Sequence, residues 1–154
     1  MARNKSSKSA IAAIRSPESA VCRILDANLN RCREGLRVVE DCLRYVLNDG
    51  VIYKKIRAVR HDTDKILRNS YSSLIKERDS IKDSGRHMPE KSKKDLQGII
   101  TANFKRAQES LRVLEEYSKT FGPSAGADPA KQFKKQRYAA YNLEKAVFLK
   151  YGKL

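Results

Sequence analysis

The sequence predicts an all-α fold: a four-helix bundle built from two duplicated helical hairpins related by a pseudo-two-fold axis. Three observations predict it. The 154 residues contain no tryptophan, seven glycines and four prolines, and are dominated by the helix-favouring Ala, Leu, Ile, Lys, Arg and Glu. Apolar residues recur at alternating spacings of four and three. One stretch occurs twice, so that Asn28, Arg31, Glu34, Arg37 and Glu40 return 75 positions later as Asn103, Arg106, Glu109, Arg112 and Glu115. Packing alone would keep the apolar residues of a duplicated helix, so identical polar residues need a reason of their own.

Taken in order, residues 1–15 read as a flexible basic tail. Ser16-Pro17-Glu18 then supplies an N-cap, a proline at the first helical position and an acidic first turn. The long first helix has Leu25, Leu29, Cys32, Leu36, Val39 and Leu43 as its inward seam and stops at Asn48-Asp49-Gly50. A second helix is predicted over about 51–69, with Ile52, Ile56, Val59 and Ile66 inward. Over about 70–91 the periodicity fails and polar residues dominate, which predicts a long loop of the kind that often carries function. The third helix, over about 92–119, repeats the seam as Ile100, Phe104, Ala107, Leu111 and Leu114, and Phe121-Gly122-Pro123 ends it. Asp128-Pro129 starts a fourth. There, Phe133-Lys134-Lys135-Gln136-Arg137 echoes Tyr53-Lys54-Lys55-Ile56-Arg57, so the repeated unit is a hairpin, spanning about 16–69 and again about 92–150. Neither hairpin can bury its apolar face alone, and pairing them makes one domain.

A chain of this size buries roughly 68–70% of its unfolded surface and needs no metal or disulfide to fold. Cys22, Cys32 and Cys42 have the spacing of neither a zinc site nor a disulfide framework. No apolar run approaches the roughly 20 residues of a membrane span, and the N-terminus lacks a signal-type apolar core, which reads as a cytoplasmic protein without membrane contact. The formal charge of +15 attracts polyanions. It is spread over the tail, over Lys91, Lys93 and Lys94, and over the last helix, which argues against one dedicated nucleic-acid stripe. The glycine-rich phosphate loops, the nucleophile elbow and the H-E-x-x-H metal motif do not occur.

On a helical wheel Asn28, Arg31 and Gly35 border the first seam, and Asn103, Arg106 and Ser110 border the third. An amide and a guanidinium beside a small residue describe a recess lined with donors, matched to phosphate or carboxylate oxygens. The competing reading pairs Arg31 with Glu34 and Arg106 with Glu109 as ordinary i,i+3 ion pairs, each worth only about 0.2–0.5 kcal/mol. Arg37, Glu40, Arg112 and Glu115 project further out and read equally as a solvated charge ladder or as binding residues. In the central loop Arg78 fits a phosphate ligand or a loop-stapling ion pair. Asp79 and Asp83, with Ser84-Gly85, fit a magnesium site or an ordinary turn. His61 and His87 have no partner at a diagnostic spacing, and Tyr45, Tyr53, Tyr117, Tyr138 and Tyr141 read as core-edge packing.

The run Arg23-Ile24-Leu25-Asp26-Ala27-Asn28-Leu29-Asn30-Arg31-Cys32-Arg33-Glu34-Gly35-Leu36-Arg37-Val38-Val39-Glu40-Asp41 resembles the first signature of the monofunctional hydroxymethylpyrimidine-phosphate kinases. These are all-helical thiamine-biosynthesis domains often fused ahead of thiamine-phosphate synthase. Thr101 to Tyr117 resembles the second signature, and Arg78-Asp79 with Asp83-Ser84-Gly85 resembles the family's central loop, with Ser84 where valine is usual. The resemblance covers about residues 17–150 and implies transfer of the γ-phosphoryl group of ATP, with magnesium, to hydroxymethylpyrimidine monophosphate.

If it holds, chemistry assigns Arg31 and Arg106, with Glu34 and Glu109 beside them, to the reacting phosphates. Asn28, Asn103, Arg37, Arg112 and Arg78 fall to substrate and phosphate binding, and Asp79 and Asp83 to the metal. A complete thiamine-phosphate synthase needs an α/β barrel of typically about 250 residues, so this all-helical chain is not that enzyme alone, and a separately encoded synthase is an expected partner. A homodimer is also compatible with the duplication. The alternatives are a basic bundle that binds nucleic acid or another acidic partner, and a helical mutase acting on a dicarboxylate.

Overall fold

The computed structural model describes residues 15–89, 92, 95–121, 126 and 128–152. They form five helices: α1 (Pro17–Tyr45), α2 (Gly50–Ile66), α3 (Tyr71–Lys76), α4 (Leu96–Ser118) and α5 (Pro129–Tyr151), with short 3-10 turns at Arg68–Ser70 and Lys119–Phe121. No strand occurs among the described residues. The readings of residues 1–14, of Lys91, Lys93 and Lys94, and of the Gly122-Pro123 stop lie outside them.

The caps act where the sequence puts them. Ser16 Oγ accepts from the Ser19 N–H ahead of Pro17, and the Asp128 carboxylate accepts from the Ala130 N–H ahead of Pro129. Between α1 and α2 the work is divided among three residues. Asn48 takes the positive φ of 50°, the Asp49 carboxylate caps the N–H groups of Val51 and Ile52, and Gly50 opens α2 instead of ending α1.

Three boundaries differ from expectation. The third helix, expected from about 92, begins at Leu96, where the Asp95 carboxylate accepts from the Gly98 N–H and caps it. The second helix ends at Ile66, because Leu67 leaves helical geometry and turns inward as a buried residue. The segment predicted as loop begins with a 3-10 turn and α3, in which Leu74 is buried and anchors the element against α1. One apolar anchor in a six-residue helix is too little to register as periodicity.

The two central helices, α1 and α4, pack most extensively on each other; each carries its hairpin partner, and α2 also meets α5, closing the ring of four. Leu25, Cys32, Leu36, Val39 and Leu43 from α1 and Ile100, Phe104, Ala107, Leu111 and Leu114 from α4 are buried and form the centre of the core. Burial pushes the Cys32 thiol up to about 12, so at neutral pH it is an uncharged packing group. Gly35 sits at the crossing. A Cβ there would lie 2.8 Å from the Asn103 carbonyl oxygen and 3.5 Å from the Ala107 nitrogen, so the helices approach as closely as a missing side chain allows.

Each hairpin is also held by a buried carboxylate, and this corrects the charge-ladder reading. Glu40 and Glu115 are 1% and 5% exposed and face inward between the helices of their own hairpins. Glu40 accepts from Arg60 at 2.7 and 3.3 Å, and Glu115 accepts from Arg137 at 2.8 and 3.0 Å. Arg37 reaches Glu40 at 3.4 Å and Arg112 reaches Glu115 at 3.2 Å. Burial opposes ionisation of Glu40, but the hydrogen bonds and charge of Arg60, with Arg37 and Arg57 beside it, outweigh it and hold the carboxyl below its usual range. At the far end, Asp49 accepts from Lys150 Nζ and the Tyr151 hydroxyl, each at 2.7 Å, and so clamps the end of α5 to the start of α2.

Two outcomes follow from this packing. Gly→Ala in a helix normally stabilises by up to about 1 kcal/mol. Gly35→Ala should instead destabilise by about 1–3 kcal/mol, because the backbone opposite cannot yield as a side chain would; chemical denaturation would measure it. The Lys150 and backbone hydrogen bonds hold the Asp49 carboxyl far below its usual range. Its stabilising contribution is therefore present above the ordinary carboxylate pKa of about 4 and is lost as pH falls below it. Asp49→Asn, which keeps a capping oxygen, should lower stability at pH 7, and that deficit should shrink between pH 4 and pH 2.

Candidate functional site

Because α1 and α4 cross at Gly35, the polar edges of both repeats come to one face. Two clefts open there and share Asn28 and Arg31. The larger, about 750 Å³, lies between α1 and the loop that follows α3; the smaller, about 550 Å³, lies along the edge of α4. Asn28 is buried and spends its amide N–H on the Ile24 carbonyl at 2.9 Å; Asn103 does the same to Ile99 at 2.8 Å. These self-bonds orient both amides without consuming their oxygens. Arg31, at the shared boundary, is exposed and has no hydrogen-bond or ion-pair partner among the described residues, so the predicted pair with Glu34 does not form.

The wall of the larger cleft is a loop fastened to α1 by arginines. Arg78 donates to both oxygens of Asp26 at 2.7 Å, Arg23 donates to the Asp79 carbonyl at 2.8 Å, and Arg15 reaches the Asp79 carboxylate at 3.1 Å. Ser19 donates to Glu77 beside them. Of the two sequence readings for Arg78, the geometry adopted is the stapling ion pair. The Lys82 backbone N–H donates to Asp79 at 3.0 Å and, with Arg23, Arg15 and Lys82 adding positive charge, holds the Asp79 carboxyl below its usual range. Asp83 accepts from the Gly85 N–H at 3.1 Å, closing a tight turn, and lines the same cleft with Ser80, Lys82 and Ser84. Asp79 and Asp83 thus share one wall and present hard oxygens to it. Among the described residues no group of three or more His, Cys, Asp or Glu side chains gathers around a common point.

The other sequence-predicted residues divide by copy. Glu34 lines the larger cleft; Arg106 and Glu109 line the smaller with Lys105 and Ser110. Asn103 lies at the helix crossing, its backbone carbonyl against Gly35. Arg37 and Arg112 sit one turn beyond, over shallower depressions, where they pair with Glu40 and Asp41 and with Glu115 and Glu116 respectively. His61 and His87 are exposed and line neither cleft. Tyr138 and Tyr141 stack edge to face at 6.0 Å around Arg137, and Tyr141 lines the depression that holds Arg112.

Asp26, Arg23, Lys82 and Lys105 were not singled out in the sequence. The search there was for polar residues identical in both repeats, and the second repeat has Thr101 and Gly98 where the first has Asp26 and Arg23. The loop docks on one copy alone, so its receptors are copy-specific.

Comparison with known proteins agrees with the repeated signatures. The chain is 38% identical over 130 residues to the thiamine-phosphate synthase of Nostoc punctiforme, covering 82% of this chain and 35% of that protein. It is 38% identical over 129 residues to that of Synechocystis sp., with 82% and 36% covered, and 42% identical over 104 residues to that of Rhodopirellula baltica, with 65% and 28% covered. The chain therefore spans about a third of the length of the curated relatives it matches. No solved structure matches. Residues 23–146, which take in both copies of the repeated stretch, the loop between them and most of the lining of both clefts, match the ThiD2 family, and the chain belongs to that family.

Proposed function

We propose that this protein serves thiamine biosynthesis as a kinase, transferring the γ-phosphoryl group of ATP to hydroxymethylpyrimidine monophosphate to give the diphosphate. The observation that carries this reading is Arg31, a guanidinium with no partner among the described residues, at the junction of two clefts edged with anion-binding groups, in a chain of the ThiD2 family. The relatives' name, thiamine-phosphate synthase, supports the pathway, and such a synthase would consume the diphosphate product.

The acceptor is itself a phosphate. Its second pKa is about 6, so at neutral pH the attacking oxygen is already ionised and needs no general base. What it needs is relief from repulsion by the phosphate it attacks, together with alignment, and both are supplied by fixed cations and by positioning. That requirement fits a site rich in arginine and lysine whose two histidines lie elsewhere. Asp79 and Asp83, both hard oxygen donors on the wall of the larger cleft, fit a magnesium ion, which typically takes one or two protein carboxylates and completes its shell with substrate phosphates and water. The metal, when bound, would neutralise triphosphate charge. Arg78 acts here through Asp26, holding the wall in place, while Lys82 and Arg31 remain available to phosphate oxygens.

An assay of ADP release with ATP, magnesium and hydroxymethylpyrimidine monophosphate tests the reading; turnover is expected with the monophosphate and not with the unphosphorylated alcohol. Arg31→Ala should lower kcat by about 10²-fold or more, the scale for losing one preorganised donor to developing charge, with an unchanged melting temperature. A folded Arg31→Ala protein at full activity would remove that residue from the mechanism. The rate should also fall below about pH 6, where the acceptor phosphate takes up a proton.

A further inference from the structure

The kinase reading leaves open how two phosphorylated ligands share one face of the bundle. We infer that the clefts are separate subsites: the larger takes the magnesium-bearing nucleoside triphosphate, the smaller takes the phosphorylated pyrimidine, and Arg31 serves both where they meet. The inference rests on the kinase reading for the identity of the ligands, and on geometry and sequence asymmetry for their placement.

Size gives the first argument, since the volumes are about 750 and 550 Å³ and the triphosphate is the larger ligand. Chemistry gives the second. The larger cleft has two aspartates, two serine hydroxyls and Lys82 along its loop wall, a set suited to a polyphosphate that brings a hard cation. The smaller cleft has no aspartate. Lys105, Arg106 and the buried Ser110 offer it donors for one phosphate group, and Glu109 offers an acceptor for an amino group on a heterocycle.

The third argument comes from the duplication. Of the positions identical between the copies, Asn28, Arg31 and Glu34 line the larger cleft, and Arg106 and Glu109 join Asn28 and Arg31 in the smaller. Those that differ surround the two recesses differently: Asn30 in the first copy is Lys105 in the second, and the loop receptors Arg23 and Asp26 are Gly98 and Thr101. A common frame with divergent rims suits two ligands that share a phosphate and differ in the rest.

Occupied together, the clefts bring the two phosphates to Arg31. An oxygen of the pyrimidine's phosphate attacks the γ-phosphorus, the bond from that phosphorus to the bridging oxygen of the β-phosphate breaks, and its electron pair leaves with ADP. No proton need move, since the attacking oxygen is ionised before the step.

Isothermal titration separates this inference from the kinase reading, because binding is measured without turnover. The ligands are a non-hydrolysable ATP analogue with magnesium, and hydroxymethylpyrimidine monophosphate, added singly and then one onto the other. Each should bind in the presence of the other. Lys105→Ala should weaken the monophosphate about tenfold or more, as loss of a charge-assisted hydrogen bond implies, and leave the analogue within about twofold; Lys82→Ala should do the reverse. Both lysines are exposed, and unchanged thermal melting would show that the variants fold. Displacement of one ligand by the other, failure of either to bind, or equal weakening of both by one variant would overturn the two-subsite assignment. Independent binding of both ligands with no ADP release would uphold the assignment and overturn the kinase.

Discussion

The close crossing of α1 over α4 is the constraint on which the rest of the molecule depends. With no side chain at Gly35, the Asn103 carbonyl can approach to a distance that a Cβ would forbid. Everything on the polar face inherits that separation. Asn28 and Arg31 lie two turns and one turn before the glycine on α1, and Arg106 and Ser110 flank the matching stretch of α4, so a wider crossing would part the two clefts that now share an edge. The second copy has Ser110 in place of glycine, buried and bearing a hydroxyl. The duplication therefore uses its small-residue position differently in each half, for contact in one and for a polar group beside a cleft in the other.

Around that crossing, ion pairs do two kinds of work. Glu40 with Arg60 and Glu115 with Arg137 lie between the helices of each hairpin, sheltered from water; the carboxylates repeat letter for letter, while Arg60 fills the place that the sequence echo gives to Arg57. Removing one partner of such a pair strands a buried charge, at a cost of about 3–5 kcal/mol, so duplicated copies keep both. Asp26 with Arg78 belongs to one half only and joins α1 to the loop that walls the larger cleft. Together with Arg23 and Arg15 it ties a polar segment, otherwise anchored by Leu74, to the rigid frame of the bundle. A loop fixed at several points can present Asp79, Lys82 and Asp83 at defined positions, which a site that works by positioning requires.

The large positive charge looks different once the fold is known. Much of it is consumed locally: Arg15, Arg23, Arg60, Arg78 and Arg137 all donate to protein oxygens. Among the described residues Arg31 finds no such oxygen, and it stands where the two clefts meet. The functional weight of a cation here depends on what already faces it, and net charge carries no information about that.

The sequence by itself determined the four long helices, the caps of the first and the last, the seam of each central helix and the pairing of two hairpins, because these rest on local periodicity and on a repeat that can be read letter against letter. Helical geometry also set Asn28, Arg31 and Arg106 on the edges of the seams, where the clefts lie, whereas Asn103, set there in the same way, lines neither. Tertiary structure alone decided what each charged residue does. Glu40 and Glu115, which a wheel drawn for one helix sets among solvated charges, are buried because a second helix covers them. Asp26 became the loop's receptor, and Arg78 its staple, through a contact spanning 52 residues in sequence. Helix periodicity records which side of one helix faces inward; it cannot record which of two like faces a distant loop will choose, and here that choice separates two clefts that the repeat would have left alike.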